Sequence, residues 1–314
     1  MRLRAALVVF LLANISLACL MAQTRPDSAA TLERGIKLVE SGHCREALPL
    51  LKRALPADGD KAQRYEGGLA EVRCAMALND SQTAVDTLLM LERLVPDDPE
   101  VLYMAAHIFS ELGSRFSDQL QTRDPDSVQA RRVQAEALES EGKNDEAAAI
   151  YRKILAENPN TAGIHYRLGQ INLALAGDTG STDDARKEFE AELKIDPTNA
   201  SAEFILGEFD RRAGNWEPAI HHFTRAAQLD EGFSEARLAL GMTLVAAGKY
   251  ADALAPLQAY VKMEPEDPAG HYQLAMAYAH TGNQQGAASE MALQAQAQRA
   301  KGATDNAEGH AVHP

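Results

Sequence analysis

From residue 128 to about 299, apolar residues recur at the three- and four-residue steps of an amphipathic helix. The helical blocks come in pairs, and the pairs repeat. ILGEFDRRAGNWEPAIHHFTRAAQLD (205–230), ALGMTLVAAGKYADALAPLQAYVKMEP (239–265) and QLAMAYAHTGNQQGAASEMALQA (273–295) align position by position. Gly207, Gly241 and Ala275 stand 34 residues apart, as do Gly214, Gly248 and Gly282. Ala219, Ala253 and Ala287 keep the same step, with Phe223, Leu257 and Met291.

Each position has a physical purpose. Gly207 with Ala219, and Gly241 with Ala253, predict two antiparallel helices whose backbones cross closely, because a large side chain there would force them apart. Leu206, Phe223, Leu240 and Leu257 fill the space around the crossing. Gly214, Gly248 and Gly282 suit the left-handed residue that ends a helix. Pro159, Pro197 and Pro265 close the second helices. Pro256, inside a predicted second helix, should kink it.

Towards the N-terminus the register loosens. Residues 128–161 and 162–199 each hold a unit, the latter with an insertion, GDTGST (177–182), in its inner turn. Residues 28–61 keep Gly35, Gly42, Ala47, Leu51 and Ala54 in place. Residues 65–98 keep only a second half, through Ala84, Leu88, Leu91 and Pro96. In 98–127 a first helix (101–112) is clear, but RFSDQLQTRDPD is short for a second, which predicts a distorted unit.

A 34-residue period with two helices per unit resembles the tetratricopeptide repeat. The resemblance implies an all-α, right-handed superhelical solenoid of antiparallel helix pairs, with about eight units, the N-terminal ones degenerate. The organisation expected is a signal peptide at 1–22, degenerate units at 23–127, a regular solenoid at 128–299 and a disordered tail at 300–314.

The chain of 314 residues carries 31 Lys plus Arg against 45 Asp plus Glu, a formal charge of −14. That balance argues against nucleic acid as the partner, since phosphate binding needs a basic surface. Residues 1–22 open with Arg2 and Arg4, then run almost wholly apolar from Ala5 to Leu20. This is the pattern of a bacterial-type secretory signal ending near Ala22. Two other readings stay open: lipidation at Cys19, which Ala18 precedes correctly while Ser16 stands where a leucine belongs, and an uncleaved membrane anchor. All three put the body of the protein outside the cytoplasm, and only this segment would touch a membrane.

No catalytic constellation is visible in the spacing. There is no His-Glu-x-x-His, Gly-x-Ser-x-Gly or CxxC. Gly248-Lys249 is too far from Gly241 for a phosphate loop and is followed by Tyr250. His221-His222, the one His pair, points two ways on a helix and reads as surface; His165 and His271 read as packing residues. The expectation is a non-enzymatic protein with no catalytic residues, no metal and no cofactor.

Two readings follow from the fold that the resemblance implies. Cys44 would start a second helix and Cys74 lie late in the next first helix, where the two can approach; outside the cytoplasm they form a disulfide, or else remain two buried thiols. In this family the first helices line a concave groove. The corresponding positions here include Tyr166, Phe204, Arg211, Leu238, Met242, Tyr272 and Met276. Adaptable Met with rigid Tyr and Phe suits a protein or peptide partner, while core packing is the alternative use of the same apolar residues. Only Arg132 and Arg211 are basic among the groove positions, so a clamp for a C-terminal carboxylate is not supported. The function expected is an interaction scaffold of the bacterial cell envelope, or else a membrane-anchored accessory factor for envelope or exopolysaccharide assembly.

Overall fold

The computed structural model describes residues 28–55, 60–176 and 182–311, with side chains to residue 301 apart from Ala176. Every regular element among them is a helix. The signal segment with Cys19, most of the 177–182 insertion and the last three residues lie outside the described residues.

The chain divides into two compact units, Met1–Pro125 and Asp126–Pro314. The first contains α1 (Ser28–Glu40), α2 (Cys44–Ala54), α3 (Lys61–Ala77), α4 (Ser81–Leu94) and α5 (Pro99–Arg123). The second contains α6 (Val128–Ser140), α7 (Asn144–Glu157), α8 (Ile164–Ala176), α9 (Asp183–Ile195) and α10 (Ala200–Arg212). It continues with α11 (Trp216–Leu229), α12 (Ser234–Ala246), α13 (Tyr250–Met263), α14 (Pro268–His280) and α15 (Gln284–Ala311). Consecutive helices pair as antiparallel hairpins: α1/α2 and α3/α4 in the first unit, and five from α6/α7 to α14/α15 in the second. Within each unit a hairpin then packs on the next, as α2 on α3, α11 on α12 and α13 on α14. The repeat therefore folds as a stack, and its core is a row of local clusters that bridge neighbouring hairpins.

One contact recurs in these hairpins. The Cα of Gly207 faces the ring of Phe223, and a Cβ built there would come within 2.7 Å of it. Gly241 faces Leu257, Gly169 faces Phe189, Gly35 faces Leu51 and Gly68 faces Leu91 in the same tight way. In α6/α7 the buried Ala135 and Tyr151 hold the corresponding places. Phe189, Phe223, Leu51, Leu91, Leu257 and Tyr151 are all essentially fully buried.

The turns between paired helices are equally uniform. Gly42, Gly142, Gly214, Gly248 and Gly282 all have positive φ, between 73° and 85°. In α12/α13, Gly248 N–H donates to Val245 O and Lys249 N–H to Leu244 O, closing the last turn of α12. The turn between α3 and α4 has no glycine. Asn79 takes the left-handed place with φ of 58°, and Asp80 N–H donates to Ala75 O in the same manner. Asparagine is among the few other residues that tolerate this conformation.

Two helices run longer than the repeat pattern alone sets. Residues 98–127 hold no second helix; α5 runs unbroken for 25 residues from Pro99 to Arg123. Asp98 caps it through Glu100 N–H and Val101 N–H, and nothing in RFSDQLQTR breaks it before Asp124-Pro125. At the other end α15 spans Gln284–Ala311. No proline interrupts QAQAQRAKGATDNAEGHA, and its alanines favour helix. Pro49 and Pro256 both sit inside continuous helices.

Replacing Gly207 with valine forces the Phe223 ring out of its place. Denaturant unfolding should show a loss of about 1–3 kcal/mol relative to wild type. A midpoint unchanged or raised would show that the helix crossing has slack that this packing denies.

Candidate functional site

Four of the seven groove residues converge in the second unit. Arg211 from α10, Met242 from α12, and Tyr272 and Met276 from α14 line one open cavity of about 320 Å³. Thr243, Val245, Ala246 and Gln273 complete its floor and sides together with Trp216. The spacing explains the convergence. First helices of successive hairpins lie side by side, so equivalent positions 34 residues apart, such as Met242 and Met276, become neighbours across the stack. The walls are apolar and unusually bare, with Tyr272 at 44% and Trp216 at 37% exposure.

Trp216, the only tryptophan in the chain, was not among the sequence candidates. It is the first residue of α11, a second helix, whereas groove positions were sought on first helices alone. The turn through Gly214, with Trp216 N–H donating to Gly214 O, brings the indole round to the edge of the cavity. The available signal was a large aromatic directly after a helix-ending Gly-Asn, where nothing remains for it to pack beneath.

The cavity has one charged side, and that charge is paired. Arg211 Nε and Nη2 donate to the two carboxylate oxygens of Glu208 at 2.9 and 2.8 Å. This bond raises the Arg211 pKa still further above its ordinary value, so the guanidinium stays protonated. A fork bound in this way offers little free charge to a ligand carboxylate. Thr243 Oγ1 donates to Ala239 O and adds no free polar group. The lining is mostly apolar, with Arg211, Thr243 and Gln273 as its polar members, and it suits apolar side chains.

The other three candidates are used in packing. The Tyr166 ring meets Phe189 edge-on at 5.6 Å, and its hydroxyl accepts from Gln170 Nε2. Phe204 wedges between Phe223 and Phe233, 5.6 and 5.0 Å away. Leu238 is partly buried against the cluster of Phe223, Leu240 and Leu244. In the first unit, Cys44 and Cys74 lie with Cα atoms 4.9 Å apart and sulfurs at bonding distance.

The histidines also find partners between helices. His165 Nδ1 lies 2.6 Å from Glu188 across α8/α9, and His271 Nδ1 lies 2.6 Å from Glu290 across α14/α15, with its Nε2 on Pro265 O. In α10/α11 the polarity is reversed: the buried Glu203 on the first helix meets His222 on the second, again at 2.6 Å. His222 is thus no bare surface residue as its sequence suggested; Asp210, with Arg186 on one oxygen, stands on its other side. These pairs fasten hairpins and leave the histidines committed. Among the described residues no group of three or more His, Cys, Asp or Glu side chains is placed to hold a metal ion.

Comparison with known proteins agrees with this geometry. The tetratricopeptide-repeat family profile matches residues 114–162, 142–200 and 238–304. Anaphase-promoting complex subunit 3 of Schizosaccharomyces pombe (strain 972 / ATCC 24843) is 24% identical over 151 residues. That match takes in 48% of this chain, which spans only 22% of the curated relative. Among solved structures, YrrB, described as a TPR protein with an unusual peptide-binding site, is 23% identical with a TM-score of 0.50. The match covers 59% of this chain and 92% of YrrB. MamA protein is 21% identical with a TM-score of 0.48, over 55% of this chain and 93% of its own. With the 34-residue period, the stacked hairpins and the glycine-to-aromatic crossings already established, the chain belongs to the tetratricopeptide-repeat family, a protein-interaction scaffold by fold.

Proposed function

We propose that the second unit binds an extended segment of a partner protein in the groove of its first helices. A bulky apolar side chain of the partner seats between Trp216, Met242, Tyr272 and Met276. The observation that carries this reading is the open apolar cavity walled by a tyrosine and a tryptophan that the fold leaves exposed. A wall that only met water would gain nothing from them, and such aromatics are the usual anchors of binding energy. The scaffold is non-enzymatic, takes a protein or peptide partner, and uses neither nucleic acid nor a cofactor.

The reading continues to the cell envelope. The apolar run from Ala5 to Leu20 behind Arg2 and Arg4 directs export, and the Cys44–Cys74 pair suits an oxidising compartment. A second reading keeps the chain at a membrane, as an accessory factor for envelope or exopolysaccharide assembly, through a lipid on Cys19 or an uncleaved segment. Among the described residues no helix is long and apolar enough to cross a bilayer.

Three measurements test these readings. A peptide array probed with the protein should enrich sequences bearing a bulky apolar residue. The Tyr272→Glu/Met276→Glu double variant, melting like wild type, should lose at least about 30-fold in affinity for the enriched peptides. Equal binding by the variant would remove the groove from consideration. Protein recovered from the envelope should show Cys44 and Cys74 blocked to thiol reagents. Reduction should then cost the first unit about 3–4 kcal/mol in stability, and two free thiols before reduction would count against the oxidised pair. The mass of the mature N-terminus should correspond to a start at Gln23; an intact Met1, or a lipid on Cys19, would favour the anchored alternative.

A further inference from the structure

Among the described residues, helix α5 carries an apolar stripe that the first unit leaves largely exposed. Leu102, Ala106, Phe109, Gly113, Phe116 and Leu120 follow one another at steps of four, three, four, three and four residues. This is the a/d spacing of a helix built to lie along another. The helix already has a buried side, in which Val101, Ile108 and Leu112 pack with Leu69, Leu88 and Leu91. Since Leu102 follows Val101, the stripe lies about 100° round the helix from that side. Leu102 is 50%, Phe109 49% and Phe116 58% exposed. Pro99 and Ser117 flank the stripe; the charged group that lies against it is Arg115 of the same helix, whose guanidinium lies 5.4 Å from the Phe116 ring centroid.

Gly113 is the second, independent observation. Gly35, Gly68, Gly169, Gly207 and Gly241 each meet a side chain that leaves no room for a Cβ. Gly42, Gly142, Gly214, Gly248 and Gly282 are needed for positive φ. Gly113 has neither reason: a Cβ there would meet nothing within 4 Å, and its φ is not positive. A mid-helix glycine weakens the helix relative to alanine. It leaves a dimple in the stripe, and Ala106 leaves a shallower one.

The order of large and small residues says what fits. When two copies of α5 lie antiparallel about an axis near residue 111, Phe109 faces Gly113, Phe116 faces Ala106 and Leu102 faces Leu120. Both aromatics meet a hollow on the other copy. A parallel pair would set Phe against Phe and Gly against Gly, leaving collisions and voids along one seam. Two aromatic side chains of about 200 Å², half exposed, bring about 200 Å², and Leu102 with the smaller residues raises this to about 400 Å² per copy, or about 800 Å² for the pair, the size of a weak, reversible contact.

We propose that the α5 stripe is a self-complementary seam through which two copies of this chain form an antiparallel homodimer, with Phe109 of each copy seated over Gly113 of the other. The contact is isologous, so it closes at two and does not propagate.

Sedimentation velocity on the full chain, from about 1 to 200 µM, should show a reversible monomer–dimer equilibrium whose midpoint falls within that range for an interface of this size. Phe109→Glu/Phe116→Glu should raise the dimer dissociation constant at least about 30-fold. Gly113→Leu fills the dimple without touching anything in its own chain, so it should also give a monomer, with a melting temperature equal to or above wild type. A wild-type chain that stays monomeric throughout overturns the proposal. So does a dimer that survives Gly113→Leu, or that this variant strengthens, as a parallel register would.

Discussion

The stack depends on a single kind of contact, a large side chain on a second helix pressed against the bare Cα of a glycine on the first. Gly207 with Phe223, Gly241 with Leu257 and Gly169 with Phe189 are versions of it. Without a Cβ at that point the two backbones approach closely, and the ring or isobutyl group fills the crossing to interior density. Glycine in a helix carries a conformational penalty, so the arrangement holds only because the packing it permits outweighs that cost. Everything else in the solenoid follows from repeating this crossing at a constant separation.

Polar contacts are arranged around that crossing and do not replace it. His165–Glu188, Glu203–His222 and His271–Glu290 each tie a first helix to its own second helix. The acid and the base exchange sides in the middle pair, so the register brings the two positions together in either order. In α12/α13 the same register places Arg237 opposite Pro256, and Arg237 Nη1 is left without a partner. Leu240, Leu244 and Leu257 of that hairpin share one apolar cluster.

The two exposed apolar features have different origins. The cavity at Trp216, Met242, Tyr272 and Met276 arises where successive first helices lie side by side, so it belongs to the repeat itself. The stripe on α5 arises where the repeat fails. Residues 99–123 form one long helix in place of a hairpin, with one side packed on α4 and another largely exposed. Regular stacking creates a groove; its interruption exposes a helix face.

The amino-acid sequence by itself determined the hairpins, because the glycine, alanine and aromatic positions recur every 34 residues and each fixes a local geometry with few alternatives. It also placed Cys44 and Cys74 on neighbouring helix ends, since antiparallel order settles which ends meet. It did not separate groove from core. Tyr166, Phe204 and Leu238 occupy the same kind of repeat position as Met242, Tyr272 and Met276, yet the first three are drawn into packing by Phe189, Phe223, Phe233 and Leu240. The neighbour that claims a side chain lies on another helix, often in another hairpin, and no local pattern encodes it. The same holds for Trp216, which reaches the cavity round a turn, and for α5, where only the three-dimensional stack shows which apolar face stays uncovered.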